Sequence, residues 1–303
     1  MIFMRSFSYP KLIQFLSVLL LVSCGTKYHI PESPPPLPQC IPMENIRLAL
    51  VLGGGGSRGL AHVGVLKEFE DAGIQIDAIV GCSAGSIVGA LYADFPQADR
   101  VRRLLFPLKV WDILDINLWY ARYGLVQGHS LRKFLHNNLR SRKFQELQIP
   151  FYAVATDLME SGLVTFHRGS LIPAVHASAS VPFVFAPVLF QGRVLVDGGV
   201  ADPIPVQVAK KIGARIIVAV DLSELLPKTC PDNLFGIAKR SAEIKFLLQS
   251  KSCVKEADVV IIPELGHVGM FDDKNNEPMY RAGRQAARKA IPKILELLAE
   301  DSH

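Results

Sequence analysis

Apolar residues in this chain fall into short unbroken runs, and several of these are followed by a glycine-rich bend and a stretch with helical spacing. Ile46 to Leu52 is apolar apart from Arg47, and Ile76 to Val80 is apolar apart from Asp77. Arg193 to Val196 and Arg215 to Val220 each place an apolar run behind one arginine. Runs of this length without polar alternation are the pattern of strands buried on both faces. Phe151 to Thr156 and Leu163 to Phe166 read as a strand pair, and Asp258 to Ile262 as a last strand. Helical spacing covers Leu60 to Ala72, Ser86 to Ala93, Gly128 to Leu139, Ser170 to Ala177, Val206 to Lys211 behind Pro203 and Pro205, Leu234 to Gln249 and Glu277 to Leu298. Residues 97–147 are mostly helical but less regular. Such alternation predicts an α/β three-layer sandwich, a mostly parallel central sheet with helices on both faces. No internal repeat or second linker interrupts it, so residues 45–300 form one domain.

The head of the chain differs. Residues 1–23 read as an export signal: Arg5 and Lys11 supply a basic start, and the 11 residues Leu12 to Val22 are apolar apart from Gln14 and Ser17. That is well short of the ~20 residues that span a bilayer. The stretch Leu21-Val22-Ser23-Cys24-Gly25 resembles the lipobox of bacterial lipoproteins. The resemblance implies cleavage before Cys24, lipidation of Cys24, and, from Gly25 in place of an aspartate, an outer-membrane position in the cell envelope. The plain alternative is an ordinary cleaved signal with Cys24 incidental. Residues 24–44 carry Pro31, Pro34, Pro35, Pro36, Pro38 and Pro42, the composition of a semi-rigid tether with no core of its own.

Composition adds little beyond exclusion. Half of the 303 residues are hydrophobic, 20% are charged and the net charge is +5. No basic run with interleaved aromatics is present, which argues against nucleic acid as a partner. No His/Cys cluster has metal-ligand spacing, so neither metal nor cofactor is expected.

Chemistry concentrates at three places. The first is Gly81-Cys82-Ser83-Ala84-Gly85, a Gly-x-Ser-x-Gly run between a strand and a helix. This is the pattern of a nucleophile elbow, which pushes a serine hydroxyl out of the sheet and needs small neighbours, here Gly81 and Gly85. The second is Gly53-Gly54-Gly55-Gly56-Ser57-Arg58-Gly59, again between strand and helix. A dinucleotide site would need an acid at the end of the next strand, but Asp77 stands at that strand's start. A phosphate-binding P-loop would need a lysine, and none is present. An oxyanion hole, with N–H groups of Gly54, Gly55 and Gly56 facing the oxygen formed when Ser83 attacks an ester, alone explains why loop and elbow follow one another on successive strands. Arg58 either orients this loop or faces a substrate phosphate, the first being favoured. The third place is Asp197-Gly198-Gly199, a carboxylate at the expected C-terminal edge of a parallel sheet, where ligands of such folds bind.

In this order and spacing the three motifs resemble those of the patatin-like phospholipase family. Gly-Leu-Ala-His-Val-Gly-Val-Leu at 59–66 and the Val181-Pro182 to Pro187 region are similar to the bacterial neuropathy-target-esterase-like subgroup. The resemblance implies a serine acyl hydrolase of lipid esters with a Ser83–Asp197 dyad: Ser83 as nucleophile, Asp197 as proton acceptor, and an acyl-enzyme intermediate. Substrates would be membrane lipids or lysolipids. A free aspartate, with a pKa near ~3.9, is a weak base for this task. Two alternatives stand beside it. Ser83, Asp197 and His267 follow the chain order of an α/β-hydrolase triad. A lipid-binding protein of the same fold without turnover is the other. Trp111, Trp119, Tyr120 and Tyr123 are candidates for an acyl pocket or for plain core. Cys82 beside the nucleophile reads as a small buried residue, and Cys230 with Cys253 as a pair whose spacing does not decide a disulfide.

Overall fold

The computed structural model describes residues 36, 45–116, 123–223, 226, 229–266 and 276–301. The export signal, Cys24, most of the tether, Trp119, Tyr120 and His267 lie outside them. The strands are β1 (Leu48–Leu52), β2 (Ala78–Cys82), β3 (Phe151–Asp157), β4 (Gly162–Phe166), β5 (Val188–Phe190), β6 (Arg193–Asp197), β7 (Ile216–Val220) and β8 (Val259–Ile261). The α-helices are α1 (Leu60–Asp71), α2 (Ala84–Asp94), α3 (Ala98–Leu105), α4 (Val110–Ile113), α5 (His129–Asn138), α6 (Leu171–Ser178), α7 (Val206–Lys211), α8 (Leu234–Cys253) and α9 (Asn276–Glu300).

The apolar runs become strands buried along their whole length, and the sheet runs β5-β6-β3-β2-β1-β7-β8. Pairings within β3-β2-β1-β7-β8 are parallel. Side chains alternate between two cores. Leu48, Leu50, Leu52 and Ile79 pack with Val63, Leu66 and Leu91 on one face. Ala49, Val51, Val80, Tyr152 and Val154 pack with Val206, Val208 and Ala209 on the other. Helices therefore cover both faces, as the alternation predicts.

β3 departs from the simple pattern. Val154 pairs with Cys82 of β2 and Thr165 of β4, while Ala155 pairs with Val164 of β4 and Asp197 of β6. A strand has two edges, so β2 and β6 must share one of them, β2 along the first half and β6 along the second. β6 runs antiparallel to β3. The C-terminal ends of β2 and β6 thus meet head-on at neighbouring residues of β3. The carboxylate of Asp197 does not stand at the edge of a parallel sheet, as expected from sequence, but arrives from an opposing strand.

Two devices hold β6 there. Arg193 Nη1 donates to Asp157 Oδ2 at 2.5 Å in a buried pair, and Asp157 Oδ1 accepts from the Met159 and Glu160 amides. Burial works against the Asp157 charge, but these donors outweigh it and hold its pKa below the usual carboxylate range. Thr156 Oγ1 donates to the Asp197 carbonyl at 2.9 Å and accepts from the Ala201 amide at 3.1 Å. Elsewhere, α1 and α9 cross closely: a Cβ on Gly64 would lie 2.1 Å from the Tyr280 carbonyl, and one on Gly283 2.0 Å from that of Ala61.

Asp77 accepts the Arg47 and Leu48 amides at the start of β1, a purely structural use. Cys230 and Cys253 are both free thiols. Cys253 is the last residue of the 20-residue α8 and Cys230 precedes its first, and a helix of that length spans ~30 Å, which keeps them apart. Arg193→Met would leave Asp157 buried without its cation and is expected to cost about 3–5 kcal/mol in urea unfolding. The double variant Arg193→Met/Asp157→Leu should recover much of that loss.

Candidate active site

Ser83 is the residue between β2 and α2, with φ 53 and ψ −121. This is the left-handed half of backbone space, which L residues enter only under constraint. The constraint is close packing. A Cβ on Gly85 would lie 2.1 Å from the Leu52 carbonyl, and one on Gly81 would lie 2.7 Å from the Gly85 carbonyl and from Ser86 Cα. Helix α2 therefore starts tight against the ends of β1 and β2, and the chain has no room for another path. The Ser83 amide donates to Ser178 Oγ at 3.0 Å, and Ser86 Oγ donates to the Ser83 carbonyl at 2.7 Å. Cys82 is fully buried behind the elbow, and burial pushes its thiol well above the ordinary range, away from a thiolate role.

The glycine loop lies against this elbow: a Cβ on Gly54 would be 3.5 Å from Ser83 Cβ, and one on Gly59 2.8 Å from Ala84 Cβ. Its amides are not equivalent. Gly54 N–H donates to the Pro203 carbonyl at 2.9 Å, so the expected set of three oxyanion donors loses that member. The Gly55 and Gly56 amides donate to no group among the described residues. Arg58 is buried and donates from Nε to the Gly55 carbonyl at 3.2 Å, the loop-orienting role. His62 Nε2, from α1, lies 2.8 Å from the Gly53 carbonyl. Burial pushes the His62 pKa down to about 4, against the opposing pull of the Gly53 contact, so the ring is neutral and Nε2 carries the proton. The Gly53–Gly54 peptide is thereby held at both ends.

Asp197 ends β6 with Oδ1 accepting the Gly199 amide at 2.7 Å. A Cβ on Gly198 would lie 2.5 Å from the Val154 carbonyl, which explains a glycine after the aspartate. Oδ2 is buried and has no hydrogen-bond partner among the described residues. The Ser83 side chain is the donor close enough to act on this carboxyl. Burial dominates the carboxyl and pushes its pKa up to about 6; the Ser83 hydroxyl and the Gly199 amide pull the other way. No histidine among the described residues hydrogen-bonds either Ser83 or Asp197.

A cavity of about 150 Å³ opens on Ser83, walled by Ile87, Leu105, Leu114, Leu131 and Phe185. The irregular segment 97–147 thus supplies aliphatic wall, whereas Trp111 is mostly exposed and takes no part in the lining. Sequence reasoning passed over several supporting groups. His62 lies in the 59–66 stretch named only for its resemblance, Ser178 stands just past the predicted helix from Ser170 to Ala177, and Thr156 and Phe246 carry no signal beyond an ordinary strand and helix. Among the described residues there is no cluster of three metal-ligating side chains.

Strand, elbow, helix and an opposing carboxylate on one sheet define an α/β fold that sets a serine and a carboxyl side by side. The chain belongs to the patatin-like phospholipase family, whose sequence pattern matches residues 50–210. It is 32% identical over 237 residues to patatin-like phospholipase domain-containing protein 6 of Homo sapiens, covering 70% of this chain and 17% of that protein. It is 34% identical over 198 residues to lysophospholipase NTE1 of Cryptococcus neoformans, covering 63% and 12%. The match to an uncharacterised NTE family protein of Mycobacterium tuberculosis is 34% over 179 residues, 58% of this chain and 49% of that one. The chain therefore spans less than a fifth of the first two relatives and about half of the third. The crystal structure of VipD from Legionella pneumophila superposes with a TM-score of 0.57 at 14% identity, over 90% of this chain and 73% of that one, and shares the fold.

Two outcomes follow from the packing and the carboxyl. Gly85→Ala is expected to cost at least about 3 kcal/mol in thermal or urea unfolding, because the new methyl has only backbone to displace. Asp197 holds its proton more tightly folded than unfolded, so its ionisation costs stability above about pH 6, and the cost fades as pH falls through that value. A rise from 3.8 to about 6 corresponds to roughly 3 kcal/mol. Asp197→Asn should therefore raise the melting temperature at pH 8 and lose that advantage near pH 4; equal gains at both values would show that burial of the charge is not the cause.

Proposed function

We propose that this chain is a serine acyl hydrolase of lipid esters, a phospholipase A, lysophospholipase or esterase, working through a Ser83–Asp197 dyad. The observation that carries the reading is the buried Asp197 carboxyl, raised to about 6 and facing a strained serine at the mouth of an apolar cavity. A base with a pKa near working pH is far better matched to proton transfer than an ordinary aspartate. The Ser83 proton passes to Asp197 Oδ2 as Oγ attacks the ester carbonyl. The carbonyl oxygen, now negative, takes the Gly55 and Gly56 amides and the N-terminal amides of α2, each good donor contributing ~3–4 kcal/mol. Collapse breaks the ester bond, and the leaving alcohol takes the proton from Asp197. Water then attacks the acyl-enzyme, giving its proton to Asp197, and Ser83 regains a proton as the fatty acid leaves.

The names of the relatives support lipid esters as the substrate class. The cavity, at about 150 Å³, accepts part of one acyl chain rather than two, being smaller than the ~300–1,000 Å³ of typical ligand pockets. Lipidation at Cys24, with residues 1–23 removed and the domain tethered at the outer membrane by residues 24–44, remains the reading that the Leu-Val-Ser-Cys stretch supports.

A fluorophosphonate probe is expected to label the wild-type chain and to fail on Ser83→Ala, which should also lose at least about 10³-fold in ester turnover. Labelling elsewhere, or a fully active Ser83→Ala, would overturn the nucleophile assignment. The kcat/KM of the wild type should rise with pH through about 6 and level off above it, following ionisation of Asp197. Product analysis on defined lipids then reads the acyl position.

A further inference from the structure

Helix α8 turns its apolar stripe away from the body of the protein. Leu234, Ile237, Ile244 and Leu248 are 84%, 53%, 44% and 62% exposed. With Ser241 they occupy positions 234, 237, 241, 244 and 248, spacings of three and four that form one helix face. The opposite face holds Phe246 and the buried Ser250, and Gln249 Nε2 on its flank donates to the Ala201 carbonyl. Phe246 reaches the site itself: its Cε2 lies 3.6 Å from where a Cβ on Gly54 would stand and 3.3 Å from one on Gly199. These glycines belong to the loop beside Ser83 and to the turn after Asp197. One face of α8 thus rests on the reactive pair's surroundings, and the other presents a bare row of aliphatic side chains.

Charge decides what that row meets. At 100° per residue, Arg240 and Lys251 border the stripe on one side and Lys245 on the other. α8 carries Lys239, Arg240, Lys245 and Lys251 against a single acid, Glu243, which lies near Lys239 and Arg240. Lys245 and Lys251 pair with no acid among the described residues. A second copy packed stripe to stripe would set these cations against their own kind. A sheet of lipid phosphates over hydrocarbon satisfies both features, which are those of a helix lying in a bilayer interface. No helix among the described residues is long and apolar enough to cross a membrane.

We propose that α8 is the surface on which the domain seats itself on an anionic lipid bilayer, with Leu234, Ile237, Ile244 and Leu248 at the acyl boundary and Lys245 and Lys251 on lipid phosphates. This goes beyond the hydrolase reading and does not depend on turnover. It places the Gly54 and Gly199 side of the site directly behind the docked helix, with Phe246 between the bilayer and the loop.

The test uses the full chain carrying Ser83→Ala, so that docking is read without hydrolysis, and Cys24→Ser, so that no acyl anchor binds the vesicle in place of α8. Ser241→Trp adds a reporter in the middle of the stripe, and the Ser83→Ala parent supplies the baseline from the native tryptophans. With phosphatidylglycerol vesicles containing brominated chains, the added emission should shift to the blue and be quenched. The affinity should exceed that for phosphatidylcholine vesicles by on the order of 30-fold at low salt, from two basic side chains. That preference should collapse at high salt and in Lys245→Glu/Lys251→Glu. Three results would overturn the proposal: an unquenched reporter on vesicle-bound protein, equal quenching by both lipids at all salt concentrations, or a blue shift without vesicles in a species of dimer mass. Ile244→Trp is the second reporter if Ser241→Trp does not fold, and a dead or active enzyme in the Ser83 experiment leaves each of these outcomes readable.

Discussion

Two strand ends meet on one edge of β3, and everything at the site follows from how little space lies between them. β2 stops at Cys82 opposite Val154, and β6 stops at Asp197 opposite Ala155. Neither strand can extend without entering the other's pairing positions. Each chain must therefore leave the sheet at once, Ser83 through a left-handed bend and Asp197 through the Gly198-Gly199 turn. The hydroxyl and the carboxyl are brought together by this collision, and glycine is required wherever the departing backbone brushes its neighbour. The buried Arg193–Asp157 pair and the Thr156 clamp matter because they keep β6 from slipping along β3. A slip of one residue would turn Asp197 to the other face of the sheet.

Burial does the second part of the work. A carboxylate in water holds its charge easily and accepts a proton poorly. The same group enclosed between β3, the glycine loop and α8 loses hydration, and its proton affinity rises. The cost is borne in stability: an ionised carboxyl with one oxygen short of donors is an unfavourable thing to enclose. The adjacent His62 shows the opposite use of the same physics, a ring kept neutral so that it serves as a fixed donor to the Gly53 carbonyl. Strain at Ser83, desolvation at Asp197 and amides at Gly55 and Gly56 that find no acceptor among the described residues are three local deficits in one small volume. Deficits of this kind persist only when the surrounding packing over-determines them.

α8 illustrates how a correct element can carry an unexpected role. Its apolar periodicity is plain in the chain, and an amphipathic helix ordinarily turns that stripe to the core. Here the inward face is built instead from Phe246 and Ser250, and the stripe is left outside. α7 fills a sheet face through Val206, Val208 and Ala209, and α8 sets Phe246 against the glycine loop and the Gly198-Gly199 turn.

Local patterns along the chain specify the architecture and the chemistry on offer. Unbroken apolar runs can only be strands covered on both faces, and Gly-x-Ser-x-Gly between a strand and a helix admits few backbone paths. Local patterns of this kind persist whatever the rest of the chain does, which is why the elements, the elbow, the loop and the aspartate were all legible. Tertiary structure decided what no local pattern encodes. It set the antiparallel course of β6, the loss of the Gly54 amide to Pro203, the proton affinity of Asp197 and the outward turn of α8. Each depends on which distant group occupies the adjacent space, and dielectric surroundings and hydrogen-bond competition exist only once the chain has closed on itself.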